Sequence, residues 1–174
     1  MSAKQNNTRN TVKQLCIYSL LCAVCMVVGY VESLLDLSFI APGIKPGLAN
    51  AVACVLILSG DIKGAFAVNI SRILLSALLF GSPVSLLFAL AGGVVSLIIM
   101  AIISKSKVFS PVGVSIIGAV THNIAQCAVG LIFVGVGVIY YLPLLLISGA
   151  VCGAAVGVLS SLVLKRIKKG EKYV

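Results

Sequence analysis

The sequence is poor in the groups that make a water-facing surface. Only 10% of its 174 residues are charged, only four are acidic, and there is no tryptophan. A soluble domain carries about 25% charged residues, so a soluble globular enzyme is excluded. Four carboxylates supply no paired-carboxylate motif and no Asp-rich DDxxD pattern of the kind that holds magnesium on a diphosphate. The pattern GxxxxGK(S/T) is absent, so ATP is not bound through a P-loop. With a single histidine, neither a Ser-His-Asp set nor a metal-ligand cluster can be assembled. The chain is therefore not expected to be an enzyme, and no metal or cofactor is expected.

What is abundant is apolar. Hydrophobic residues make up 60% of the chain, and the mean hydropathy is +1.20. A membrane span needs about 20 residues. The apolar runs fall at roughly 14–30, 47–60, 64–80, 84–104, 112–136 and 142–164, which predicts six transmembrane helices. The first run lacks a small-x-small cleavage site and is followed by further spans, so it is expected to be retained rather than removed as a signal. Pro42, Pro46, Pro83, Pro111 and Pro143 fall at or just before proposed helix starts. Proline is tolerated there because its missing N–H would have had no intrahelical partner. Residues 1–13 form a basic N-terminal segment, 14–164 the membrane domain and 165–174 a basic tail.

The net charge of +9 is first a matter of topology. With six helices both ends share one side. That side collects Lys4, Arg9, Lys13, Lys63, Lys105, Lys107, Lys165, Arg166, Lys168, Lys169 and Lys172, eleven of the thirteen basic residues. The asymmetry places both termini in the cytoplasm of a bacterial cell membrane and accounts for the charge without nucleic acid. The basic tail also suits contact with anionic lipid.

A few polar residues break the apolar pattern. Arg72 sits about eight residues from either end of its helix, roughly 12 Å deep. A central arginine costs about 2.5–3.5 kcal/mol on insertion scales, so it should face protein or water. Asn69, Arg72 and Ser76 follow i, i+3, i+7 spacing and form one stripe. The stripe reads either as an anion-binding residue in a cavity or as a structural ion pair with Glu32 or Asp36. His122 and Gln126 are one turn apart, share a face with Ser115, and lie near mid-depth beside Asn123. They suggest a central polar pocket; the alternative is that they hydrogen-bond neighbouring helices. The loop at 31–46 is the longest, with Lys45 as the one outer positive charge, and Asn50 stands one turn into the next helix. That loop suits a lid that attracts an anionic ligand, or an interfacial lysine on lipid headgroups.

Cys22-Ala-Val-Cys25 has CxxC spacing without a second pair, and small apolar packing is the expected role. Gly149, Gly153 and Gly157 form a double GxxxG, and Ala89, Gly92, Gly93 and Ser96 give another small-residue face. Both permit close helix contact, within the bundle or with another membrane subunit.

Four stretches carry a resemblance. Residues 42–50 (Pro42-Gly43-Ile44-Lys45-Pro46-Gly47-Leu48-Ala49-Asn50) come first. Ser71-Arg72-Ile73 with Leu79-Phe80-Gly81 follows, then Ala91-Gly92-Gly93 with Ser96, then Gly118-Ala119-Val120-Thr121-His122-Asn123 with Gln126. Over about residues 11–165 the chain resembles the Gx transporter family, also labelled heptaprenyl diphosphate synthase component I. Pro46 departs from the pattern, where an apolar residue is expected. The resemblance implies an all-α bundle similar to the substrate-binding (S) components of energy-coupling-factor (ECF) transporters. It implies a vitamin-like ligand taken from outside, with a separate transmembrane subunit and ATPases as partners. The expected function is capture of a small anionic or amphipathic ligand by Lys45, Asn50, Asn69, Arg72, His122, Asn123 and Gln126. The family's second label implies an alternative, an accessory membrane component of isoprenoid or menaquinone synthesis.

Overall fold

The computed structural model describes residues 2–34, 47–80, 82–106 and 108–171. Among them the chain is all-helical. The helices are α1 (Ser2–Leu34), α2 (Asn50–Leu58), α3 (Ile62–Phe80), α4 (Pro83–Ser106), α5 (Pro111–Phe133) and α6 (Leu142–Glu171), with a 3₁₀ turn at Val136–Tyr141 before α6.

The helix starts follow from local chemistry. Pro83 and Pro111 open α4 and α5, as expected, and Pro143 lies in the first turn of α6. Ser110 Oγ accepts from the Gly113 N–H at 3.1 Å, capping α5. Ser82 and Ser85 cap α4 reciprocally, each hydroxyl accepting from the other's backbone N–H. Asp61 caps α3 through the Gly64 N–H at 2.9 Å, and its second oxygen accepts from the Tyr18 hydroxyl at 2.5 Å. Gly60 makes the preceding turn with φ +89°, a conformation that side-chain-bearing residues rarely adopt. Pro42 and Pro46 lie outside the described residues.

Among the described residues, five segments are long and apolar enough to cross a membrane: Thr11–Glu32, Ile62–Phe80, Pro83–Ser106, Pro111–Phe133 and Val136–Ile167. The expected six helices are present, but α2 is not among these five. Helix α2 has nine residues, about 14 Å, against a hydrocarbon core of about 30 Å. It starts late because Gly47, with φ +74°, turns the chain, and Leu48 and Ala49 remain in that turn. The Leu48 N–H is taken by the Glu32 carboxylate instead of by a helical carbonyl. Helix α2 then runs back along α1. The Cys25 thiol faces the Ala49 carbonyl at 3.5 Å near its start, and Tyr18 meets Asp61 just past its end.

The bundle is tightest where the small residues lie. A Cβ on Gly157 would stand 2.6 Å from Val112 Cα, and one on Gly153 would stand 2.9 Å from Ile116 Cα. The double GxxxG of α6 is thus spent on α5 and not left open to another chain. The apolar core gathers Ala53, Ile57, Ala65, Leu97, Met100 and Val114. These residues end α2, begin α3, end α4 and begin α5, so the core closes one end of the bundle. Outward-facing side chains are apolar, including Leu78, Val108, Ile132 and Tyr140, each at least 80% exposed. In water such a surface would associate; in a bilayer it is the lipid contact.

Gly157→Ala should lower the unfolding temperature in detergent, by about 1–3 kcal/mol of overpacking, because the obstructing atom is backbone. Gly137→Ala, with nothing within 4 Å, should leave it unchanged. Equal temperatures for the two variants would show that α5 and α6 are not locked by their close approach.

Candidate functional site

Adjoining the core, and sharing Met100 with it, lies a cavity of about 100 Å³. Helix α2 contributes Asn50 and Cys54, α4 contributes Ser96 and Met100, and α5 contributes Ser115, His122, Asn123 and Gln126. Ser148 and Cys152 of α6 complete the polar wall. A cavity of ~150 Å³ accepts benzene, and one water needs ~10–15 Å³ on the same measure. This space therefore holds several waters or a head group of a few heavy atoms.

Each polar residue is placed by its helix. Ser115, His122 and Gln126 face the cavity together, at the spacing the sequence predicts. His122 fits because α4 has glycine opposite: a Cβ on Gly92 would come within 2.8 Å of the imidazole. Gly93, the next residue, makes the same allowance for Asn69 of α3, whose Nδ2 would be 2.8 Å from a Cβ there. The glycine pair thus admits two polar side chains from opposite neighbours. Asn123 Nδ2 donates to the Leu145 carbonyl at 2.5 Å, tying α5 to the first turn of α6 beside Gly149.

Arg72 stands behind this wall. Its Nη2 donates to Asn50 Oδ1 at 3.1 Å and to Asn69 Oδ1 at 3.0 Å. Arg72 and Asn69 are not among the lining residues; Asn50 connects them to the cavity. Arg72 is near enough for its charge to act on His122. Among the described residues Arg72 makes its side-chain hydrogen bonds to Asn50 and Asn69. Both hydrogen-bond partners are neutral amides, while buried Glu32 acts on Arg72 through space and spends its own carboxylate on the Leu48 N–H. Asp36 and Lys45 lie outside the described residues. Ser76, the third member of the stripe, donates to the Met26 sulfur at 3.2 Å.

Four of the seven residues expected from the sequence therefore line one space: Asn50, His122, Asn123 and Gln126. Sequence reasoning missed Ser148 and Cys152 of α6. Ser148 lies one position before the first glycine of the GxxxG series, so it could have been found by asking what flanks the packing face. Ser96 was read only as packing and also lines the cavity. Cys22 and Cys25 pack with Val68 in an apolar cluster. Among the described residues no group of three His, Cys, Asp or Glu side chains converges.

Compared with known proteins, residues 21–163 match the profile of the family described as heptaprenyl diphosphate synthase component I. No curated protein and no solved structure matches the chain.

Asn69→Leu should destabilise the fold by about 1–3 kcal/mol, since Arg72 loses an acceptor in a place where water cannot replace it. Thermal unfolding in detergent reads this directly. A variant as stable as the parent would show that Arg72 has other means of satisfying its donors.

Proposed function

This chain belongs to the heptaprenyl diphosphate synthase component I family, and we propose that it is a membrane-embedded, non-catalytic component that holds a small polar-headed ligand. The observation that carries this reading is the cavity. It gathers amide, imidazole and hydroxyl groups from four helices in the interior of an otherwise apolar bundle. Polar groups inside a membrane protein are costly and mark ligand or ion pathways.

The acidic residues support the absence of catalysis. Of the four carboxylates, Glu32 receives the Leu48 N–H and Asp61 caps α3. Prenyl transfer needs carboxylates free to hold magnesium. In this family setting the chain serves as an accessory membrane component of isoprenoid or menaquinone side-chain synthesis, with the carboxylates supplied by another protein. The family description favours that setting.

The polar lining of the cavity also suits a second setting, capture of a ligand for uptake, in the manner of an ECF S component working with a transmembrane subunit and ATPases. In this setting Lys45, which lies outside the described residues, attracts the ligand. The course of α2 supports the topology that both settings need. Because α2 returns beside α1 to the level of Tyr18, α3 starts on the side where α1 starts. That course is compatible with termini on one side, and the distribution of lysine and arginine favours the cytoplasm for them.

The test is to purify the protein in detergent and identify small molecules released on denaturation. Ser148→Phe should remove the bound molecule while leaving the unfolding temperature within a few degrees; retention of the molecule would remove the cavity as its site. Adding the protein to a soluble prenyl diphosphate synthase separates the settings. A changed product length or rate supports the accessory role. An unchanged product, with uptake of the released molecule by cells expressing the protein, supports capture.

A further inference from the structure

The hydrogen bonds behind the cavity wall fix which end of each amide faces inward. A guanidinium has donors and no acceptor, so Asn50 must turn Oδ1 to Arg72, as it does at 3.1 Å. Its NH₂ is then the end left for the cavity. Asn123 is fixed in the opposite sense. The Leu145 carbonyl is an acceptor only, so Asn123 turns Nδ2 towards it and leaves Oδ1 free. Asn50 and Asn123 both line the cavity, so these two ends are the ones left for a ligand there. One offers a donor and the other an acceptor. The described lining contains no Asp, Glu, Lys or Arg.

Building on the ligand-holding reading, we infer that the cavity recognises an uncharged head group bearing a hydrogen-bond acceptor beside a donor, as a carboxamide or lactam does. In the same arrangement Arg72 is a positioning residue, acting through Asn50 and not as the receptor of a ligand's negative charge. A carboxylate would satisfy the Asn50 donor but would face Asn123 Oδ1 with a second acceptor. The sequence alone pointed to an anionic ligand because it shows Arg72 and His122 at one depth. It does not show that Asn50 stands between Arg72 and the cavity.

Cys152 lines the cavity and Cys16 lies exposed on α1, so their reactivities report inside and outside. The experiment labels the purified full chain with methyl methanethiosulfonate and follows both thiols by mass spectrometry. Propionamide, propionate and propylammonium serve as probes of equal size with neutral, negative and positive heads. Propionamide at twice its dissociation constant should slow labelling of Cys152 by about threefold, the two ions should not, and Cys16 should be unaffected. Arg72→Lys, which still donates to Asn50, should keep this preference. Arg72→Met, which frees the amide to turn, should lose it. Protection by propionate equal to or greater than that by propionamide overturns the inference while leaving the cavity a binding site. Protection by none of the three overturns both.

Discussion

A guanidinium inside a bilayer cannot leave its donors empty, and the region around Arg72 is built on that constraint. The arginine lies in the middle of a lipid-crossing helix, where water is not available to it. Its nearest solution is local: Asn69, one turn before it on α3, supplies one oxygen. The second comes from Asn50, the first residue of α2. For Asn50 to reach Arg72, α2 has to begin deep in the bundle, which is why it is nine residues long and not a full span. Interrupted backbone at membrane depth is tolerated where it is buried in protein or lines a cavity. Here the turn at Gly47–Ala49 is anchored by Glu32 on one side and lies at the edge of the cavity on the other. Glu32, Leu48, Asn50, Arg72 and Asn69 form one connected set, and the two glycines of α4 make room for its far end.

Much of this was legible in the sequence, and the residues show where legibility stops. Proline positions marked the starts of α4, α5 and α6 because proline's missing N–H is a local property. The Ser115, His122, Gln126 face was legible because helical spacing fixes which residues share a side. The same arithmetic says nothing about which neighbour that side meets. So Asn69 and Arg72 were placed in the pocket with His122, whereas they reach it only through Asn50. Gly92 and Gly93 read as a generic packing face, whereas each answers one polar side chain from a different helix. The short α2 was the least legible element. Its apolar run, at 47–60, is the shortest of the six, but its late start depends on a carboxylate sixteen residues earlier in the chain taking the Leu48 N–H.

The bundle is not held in the same way throughout. At the core end, Leu97 and Val114 are almost completely buried, and the α6 glycines bring its backbone against α5. This end is rigid, and it sets the positions of Ser115, His122, Asn123 and Gln126 relative to Ser148 and Cys152. The α1–α2 side is held by the apolar cluster of Cys22, Cys25 and Val68 with Val52 and Leu56 against it, and by polar contacts: Tyr18 to Asp61, Cys25 to Ala49 and Glu32 to Leu48. Helix α1 is the least buried of the candidate spans, at 11%. Parting α1 from the bundle would thus break less packing than parting α5 from α6, where backbone meets backbone.

That division bears on how tightly the cavity can hold anything. Four hydrogen bonds from Asn50, His122, Asn123 and Gln126 contribute about 0.5–1.5 kcal/mol each, or about 2–6 kcal/mol together. Even the upper figure corresponds to a dissociation constant of tens of micromolar, before the loss of the ligand's freedom is counted. Polar recognition alone thus selects a head group without holding it firmly. Firm holding requires apolar area as well, at about 25 cal/mol per Å² removed from water. The cavity itself is too small to supply much of that area. On the proposed ligand-holding reading, a firmly held molecule would need the rest of its surface covered outside the polar wall, by the bundle or by lipid. A molecule with a compact polar head and an apolar body meets both requirements, whether it is held for synthesis or for transport.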